Sequence, residues 1–187
     1  MTIPGHQEPN DFPYFLFELI SIMRFNQLDR ITELEVGRHL RAVKCVTLSE
    51  QHLHDHFPLF PVMPGVLMLE ALYQASAWLI RASEDFKHSM VTLHETRNIK
   101  FQDFVAPGDQ LDVFVEIAKH DDEFTQLKVL GTIGGKTAVN GRLILRRFQL
   151  EEKFGEDHAT DQNVRHGHQK IFKLLTAGLK KLTTTTS

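Results

Sequence analysis

Residues 54–80 read HDHFPLFPVMPGVLMLEALYQASAWLI, and the way this stretch folds decides the rest of the chain. Pro58, Pro61 and Pro64 punctuate its first half, which therefore reads as a loop. Pro64 also suits the first turn of a helix, where a missing N–H costs nothing. From Gly65 to Arg81 the sequence is apolar nearly all round, which predicts a helix buried on most sides. A single carboxylic acid, Glu70, interrupts it, with Gln74 one turn further along the same face. A buried acid is costly unless it is paired or has work to do, so Glu70 marks a candidate site. The run is too short to span a bilayer, which takes about 18–20 apolar residues, and it contains Glu70 and Gln74.

Working outward, LDRITELEVGRHLRAVKCVTL before this stretch reads as two strands hinged at Gly37, and SEQHLHDHF after them as a turn with a short helix. After it, MVTLHETRNIKF is a candidate strand, and DQLDVFVEIAKH alternates with Leu111, Val113, Val115 and Ile117 on one face. EFTQLKVLGTI and KTAVNGRLILRRF flank Gly134–Gly135, a hairpin signal. The order is two strands, one buried helix, then four strands of antiparallel meander. Such a helix is best buried by one sheet wrapped around it, an α+β fold. DFPYFLFELISIM, residues 11–23, suggests a further short helix near the N-terminus.

At 187 residues, the strand and helix set fits one domain with its own core, here residues 1–150. Net charge is −3, which gives no sign of a nucleic-acid partner. The single cysteine, Cys45, excludes an internal disulfide and a cysteine-rich zinc site, and its strand-like setting reads as structural. The N-terminus lacks a basic region, and Pro13 and Glu18 break the apolar run Phe12–Met23, so no signal peptide is expected. The expectation is a soluble cytoplasmic protein.

His56, Glu70 and the helix start at Gly65–Val66 form the constellation that carries chemistry. Glu70 lies roughly 8 Å along the helix from its first turn, at 1.5 Å per residue. The helix start presents free N–H groups and the positive end of the dipole. A histidine, a sequestered carboxyl and an oxyanion-ready helix end suit proton abstraction beside a carbonyl, with the carboxyl serving a leaving hydroxyl.

The run HFPLFPVMPGVLMLEALYQ resembles the signature of the Z-type 3-hydroxyacyl-(acyl-carrier-protein) dehydratases of bacterial fatty-acid synthesis. The likeness covers about residues 28–148, with GRHLRAVKCVTLSE before and FVAPGDQLDVFVEIAK after. The resemblance implies a hot-dog fold, an antiparallel sheet wrapped around one long helix, paired into a homodimer. It implies a site at the dimer interface joining His56 of one chain to Glu70 of the other; no cofactor and no metal are expected. By the same likeness, Gln74 binds substrate and the Gly65 N–H polarises the thioester carbonyl; the free N–H of Val66 at the helix start makes it a further substrate-binding candidate. His56 would take the C2 proton, and Glu70 would protonate or orient the leaving 3-hydroxyl, giving a trans-2-enoyl thioester.

Three features depart from the family pattern. Leu59 stands where glycine usually follows His-Phe-Pro, reshaping the pocket mouth. MRFNQ keeps only Arg24 and Phe25 of an Arg-aromatic-Pro-Phe run. Gln102–Asp103 replaces a basic pair associated with docking acidic carrier protein, which leaves a coenzyme A thioester open as substrate.

Residues 151–187 have no counterpart in the usual family member. Five acids over 151–162 read as a linker. Beyond it, Phe172, Leu175, Leu179 and Leu182 mark an amphipathic helix carrying Arg165, Lys170, Lys173, Lys180 and Lys181, before a frayed TTTTS end. That helix either covers apolar surface or brings positive charge to the site entrance for an acidic carrier. Two other functions stay open: an acyl-thioester-binding protein without catalysis, and a metal-dependent hydrolase built on HLHDH, residues 52–56.

Overall fold

A computed structural model of the chain describes residues 25–57, 59–179 and 183–184. The helix expected over residues 11–23 lies outside them. The elements run β1 (Arg30–Val36), β2 (His39–Cys45), α1 (Gln51–Asp55), α2 (Gly65–Ser83), β3 (Met90–Phe101), β4 (Gln110–His120), β5 (Phe124–Ile133), β6 (Lys136–Phe148), α3 (Leu150–Phe154), α4 (His158–Leu175) and β7 (Thr183–Thr184).

Turn chemistry sets the hairpins. Gly37 opens the two-residue turn between β1 and β2 at φ +80. Gly134 and Gly135, at φ +53 and +84, both take the positive φ of a type I′ turn between β5 and β6. The sheet order is β3-β6-β5-β4-β2-β1-β7. The meander therefore comprises β4, β5 and β6 only. β3 pairs with β6 at the far edge, where the chain emerges after α2 has crossed the concave face.

Alternation on β4 turns Leu111, Val113 and Val115 inward as expected, and Leu127, Val129, Leu143 and Leu145 join them from β5 and β6. These side chains meet Leu72, Leu79 and Ile80 of α2 in one core. Register shifts in β1, β3, β4 and the β5–β6 pair bend the sheet around the helix. The bend brings β3 close over Gly141, where a Cβ would sit 2.5 Å from the Ile99 side chain and 3.0 Å from its Cα. Only glycine fits there.

The C-terminal segment departs from its expected form. Within 151–162 lie most of α3 and the start of α4. Asp161, read as linker charge, is buried and accepts the backbone N–H groups of Leu150 and Glu151 at 2.9 and 3.0 Å, capping α3. Burial alone would raise its pKa. Its hydrogen bonds from Ser89, Glu151 and Leu150, with Arg165 nearby, outweigh that and hold the carboxyl below its ordinary value. α4 starts at His158, capped by the Asp157 side chain, and ends at Leu175. Its Ile171 and Leu175 sit in the core, and Phe172 packs on Trp78 and Phe86. Within the expected frayed end, Thr183–Thr184 pairs in parallel with Glu35 and Val36 of β1. No helix among the described residues is long and apolar enough to cross a membrane.

Candidate active site

α2 is buried unevenly, and that places the site. Residues Ala75–Arg81 are all buried, because the sheet covers one side and α4 the other. The first turn lies beyond the reach of α4, and Val66 there is exposed. Glu70 falls at the transition and is half-buried.

Gln74 fixes the Glu70 carboxyl. Its amide nitrogen donates to Glu70 Oε1 at 2.8 Å and to the Phe25 carbonyl at 2.7 Å. Its amide oxygen accepts the Gln27 N–H at 2.9 Å. That last bond orients the amide, since a flipped amide would face the Gln27 N–H with another donor. The sequence placed Gln74 on the face of Glu70; the tie to residues 25–27 needs the fold.

From Glu70 a cavity of about 270 Å³ runs along α2 past Tyr73 and Ala77 to Trp78 and Arg81, with α4 contributing His168 and Ile171. Tyr73 is anchored by donating to the Val91 carbonyl at 2.8 Å, and burial raises its phenol pKa. Arg81 is 8% exposed, and its Nε has no hydrogen-bond partner. Burial lowers its pKa to about 10, and no carboxylate among the described residues pairs with it. Its guanidinium lies 5.1 Å from the Trp78 ring centre. A desolvated cation–π contact supplies about 2 kcal/mol, and the carbonyls at a helix C-terminus up to about 2 kcal/mol. Burying a cation costs several kcal/mol, and neither contribution gives Nε an acceptor. His168 lies edge-on to Trp78 at 5.9 Å with its Nδ1 shut off from solvent and unpartnered. Burial, reinforced by Arg81, lowers its pKa to about 3, so the ring is neutral at ordinary pH.

His56 stands elsewhere. It caps the C-terminus of α1, its ring 4.5 Å from that of Phe57, and is not among the residues lining the cavity beside Glu70. Phe57 holds φ +52, an uncommon conformation for a bulky side chain. Strain of this kind persists where surrounding structure imposes it, and it occurs at ligand-handling loops. The loop is tied down by the Met63 N–H donating to the Val105 carbonyl at 2.8 Å and by Phe60 packing edge-on to Phe104. Leu59 is fully exposed and lies outside the cavity lining, so within this chain it does not shape the cavity.

At the helix start, Leu67 and Met68 donate to the Pro64 carbonyl, while the Gly65 and Val66 N–H groups precede the first helical bonds. A Cβ at Gly65 would press to 3.2 Å from the Phe101 ring, so close packing also requires this glycine. In HLHDH, His52 Nδ1 lies 3.7 Å from Glu50 Oε2, and the side chains of His54 and Asp55 are outside the described ones.

Sequence reasoning missed Arg81 and His168. Arg81 was legible in principle, eleven residues after Glu70 and so on the same helical face. His168 reaches the cavity only because α4 docks there.

The fold and site define a hot-dog protein whose central helix carries an oriented carboxyl at the head of a cavity. The chain belongs to the FabA-like family, whose domain model matches residues 20–147. It is 35% identical over 136 residues to the 3-hydroxyacyl-(acyl-carrier-protein) dehydratase FabZ of Clostridium botulinum, covering 73% of this chain and 87% of that one. It is 38% identical over 116 residues to the protein of that name from Levilactobacillus brevis, covering 62% and 78%. Among solved structures, the dehydratase heterocomplex ApeI:P of Xenorhabdus doucetiae superposes with a TM-score of 0.56 at 18% identity, over 70% of this chain and 88% of that one. An acetyl-CoA-bound protein of Streptococcus mutans superposes with a TM-score of 0.53 at 12% identity, over 68% and 94%. At these identities the structural likeness is one of fold.

Proposed function

We propose that this protein is a hydro-lyase of fatty-acid synthesis, removing water from a 3-hydroxyacyl thioester to give the trans-2-enoyl thioester without a cofactor. The observation that carries the reading is the Glu70 carboxyl, held by Gln74 at the head of a cavity with mixed polar and apolar lining in a FabA-like chain. Simple acyl binding needs no oriented acid there. The acyl group arrives on acyl carrier protein, as the names of the relatives indicate for them, or on coenzyme A.

In the reaction, an imidazole nitrogen of His56 takes the C2 proton. The C2–H electrons form the C2–C3 double bond as the C3–O bond breaks. Glu70 delivers a proton to the departing hydroxyl, which leaves as water. The Gly65 and Val66 N–H groups, at the positive end of α2, hold the thioester oxygen while charge builds on it. The proton on His56 then returns to Glu70 through solvent, restoring both groups.

His56 meets Glu70 across a homodimer, one from each chain. The edge of β3, unpaired among the described residues, supports this reading, as do exposed Phe57, Phe60, Val66, Phe101 and Phe104 around the start of α2. Such an open strand edge and apolar patch invite a partner. His56→Ala and Glu70→Gln should each lower kcat by about 10²–10⁴-fold, the usual share of general acid–base catalysis. Circular dichroism should show both variants folded. Near wild-type turnover in either folded variant would sink the mechanism.

A further inference from the structure

Nothing in the proposed reaction uses Arg81, yet it ends the cavity that Glu70 heads. The two residues sit eleven positions apart on one face of α2, about 16 Å along the axis at 1.5 Å per residue. Helical side chains lean toward the helix N-terminus, which draws the guanidinium back toward Glu70. It is nine-tenths buried, with its Nε lacking an acceptor and no carboxylate beside it among the described residues. Across from it, the His168 ring lines the cavity, and its Nδ1 is a second unpartnered polar atom packed out of reach of solvent. Between the two ends the lining is mostly apolar, with Ala77, Trp78 and Ile171.

The complement of such a cavity is a chain that reacts at one end, is apolar in the middle and is anionic at its tip. A methyl tip would leave the guanidinium unpaired beside hydrocarbon. A hydroxyl tip would offer it an acceptor without neutralising its charge. A carboxylate does both, and its two oxygens match the fork of the guanidinium. The cavity's 270 Å³ lies just under the roughly 300–1,000 Å³ of typical small-molecule sites, which suits a short chain. His168 and Ile171 lie outside the family-matched residues 20–147, so this end of the cavity is partly built by the C-terminal extension.

We propose that the cavity is a subsite for a short acyl chain ending in a carboxylate, gripped by Arg81 with His168 as the second polar partner. The preferred substrates are then ω-carboxylated 3-hydroxyacyl thioesters. The assignment of the reacting end rests on the dehydratase reading above; the anion-binding end does not.

The test uses the full chain and coenzyme A thioesters of matched short length ending in methyl or in carboxylate. Binding is measured by calorimetry with saturated analogues lacking the 3-hydroxyl, which cannot dehydrate. Turnover is measured with the 3-hydroxy forms. The wild type should bind the carboxylate-ended analogue at least about tenfold more tightly, and Arg81→Met should reduce the carboxylate-over-methyl ratio of kcat/KM by about 100-fold, as expected for stranding a buried charge. If Arg81→Met does not fold, His168→Phe should lower the same ratio several-fold, and the wild-type binding comparison stands by itself. Equal binding of both analogues by the wild type would overturn the proposal. Turnover of methyl-ended substrate with no preference in binding would leave the dehydratase and remove the subsite. Tighter carboxylate binding without turnover of any thioester would uphold the subsite and remove the dehydratase.

Discussion

Acid should loosen this protein through His168. The ring has a native pKa of about 3, against 6.5 for an unperturbed histidine, because it is buried and lies near Arg81. Between those values the unfolded chain carries a proton on His168 that the native chain does not. Stability therefore rises with pH across that window and falls as the solution is acidified from pH 6.5 toward 3; above 6.5 the group adds no slope. The maximal slope is about 1.4 kcal/mol per pH unit. Integrating from pH 7 to 4.5 gives a loss of about 2.5 kcal/mol, a sizeable share of the about 5–15 kcal/mol that holds a typical domain together. Undocking of α4, which would let the ring take its proton in water, caps this loss at the free energy of undocking. His168→Phe keeps an aromatic ring against Trp78 and removes the proton site. Urea unfolding at pH 7.0, 6.0, 5.0 and 4.5 (nominal steps of about one unit across the window), followed by far-UV circular dichroism and Trp78 fluorescence, should show the wild type losing stability faster than the variant. Two profiles that run parallel within about 0.5 kcal/mol over the whole range would refute the reasoning.

Three further outcomes follow from particular contacts. Gln74→Leu removes the clamp on Glu70 and strands the buried Gln27 N–H, so kcat should fall about 10–100-fold with KM little changed, and stability by about 1–3 kcal/mol; an equal loss in KM alone would assign Gln74 to substrate binding instead. Deleting residues 158–187 uncovers Trp78 and the core contacts of Ile171 and Leu175, at about 1.5–3 kcal/mol for each of those two side chains. Its signature is a red-shifted Trp78 emission and a lowered Tm, whereas an unchanged Tm would mean that α4 adds nothing to the core. Mixing inactive His56→Ala and Glu70→Gln chains should restore part of the activity, because a hybrid dimer holds one intact site; no recovery in hybrids shown to form would place both groups in the same chain.

Much of this protein was legible in its sequence because the signals are local. Alternation on Leu111, Val113 and Val115 marked β4, and glycine pairs fixed the hairpin turn at 134–135. A carboxyl inside an apolar helical run drew attention to Glu70 before any fold was known. The resemblance to a known dehydratase motif then supplied the fold that wraps the helix. Other features had no local sign. β3 follows α2 directly yet pairs with β6, since strand order depends on where the helix releases the chain. The acids of 151–162 read as a solvated linker because their composition is polar, and only the folded chain shows Asp161 turned inward to cap α3. His168 is separated from Arg81 by most of the sheet in sequence, and no periodicity links them. Sequence spacing determines which residues share a face of one element. Which faces meet is decided by the packing of whole elements, and here the docking of α4 brought an unpartnered histidine to a buried arginine.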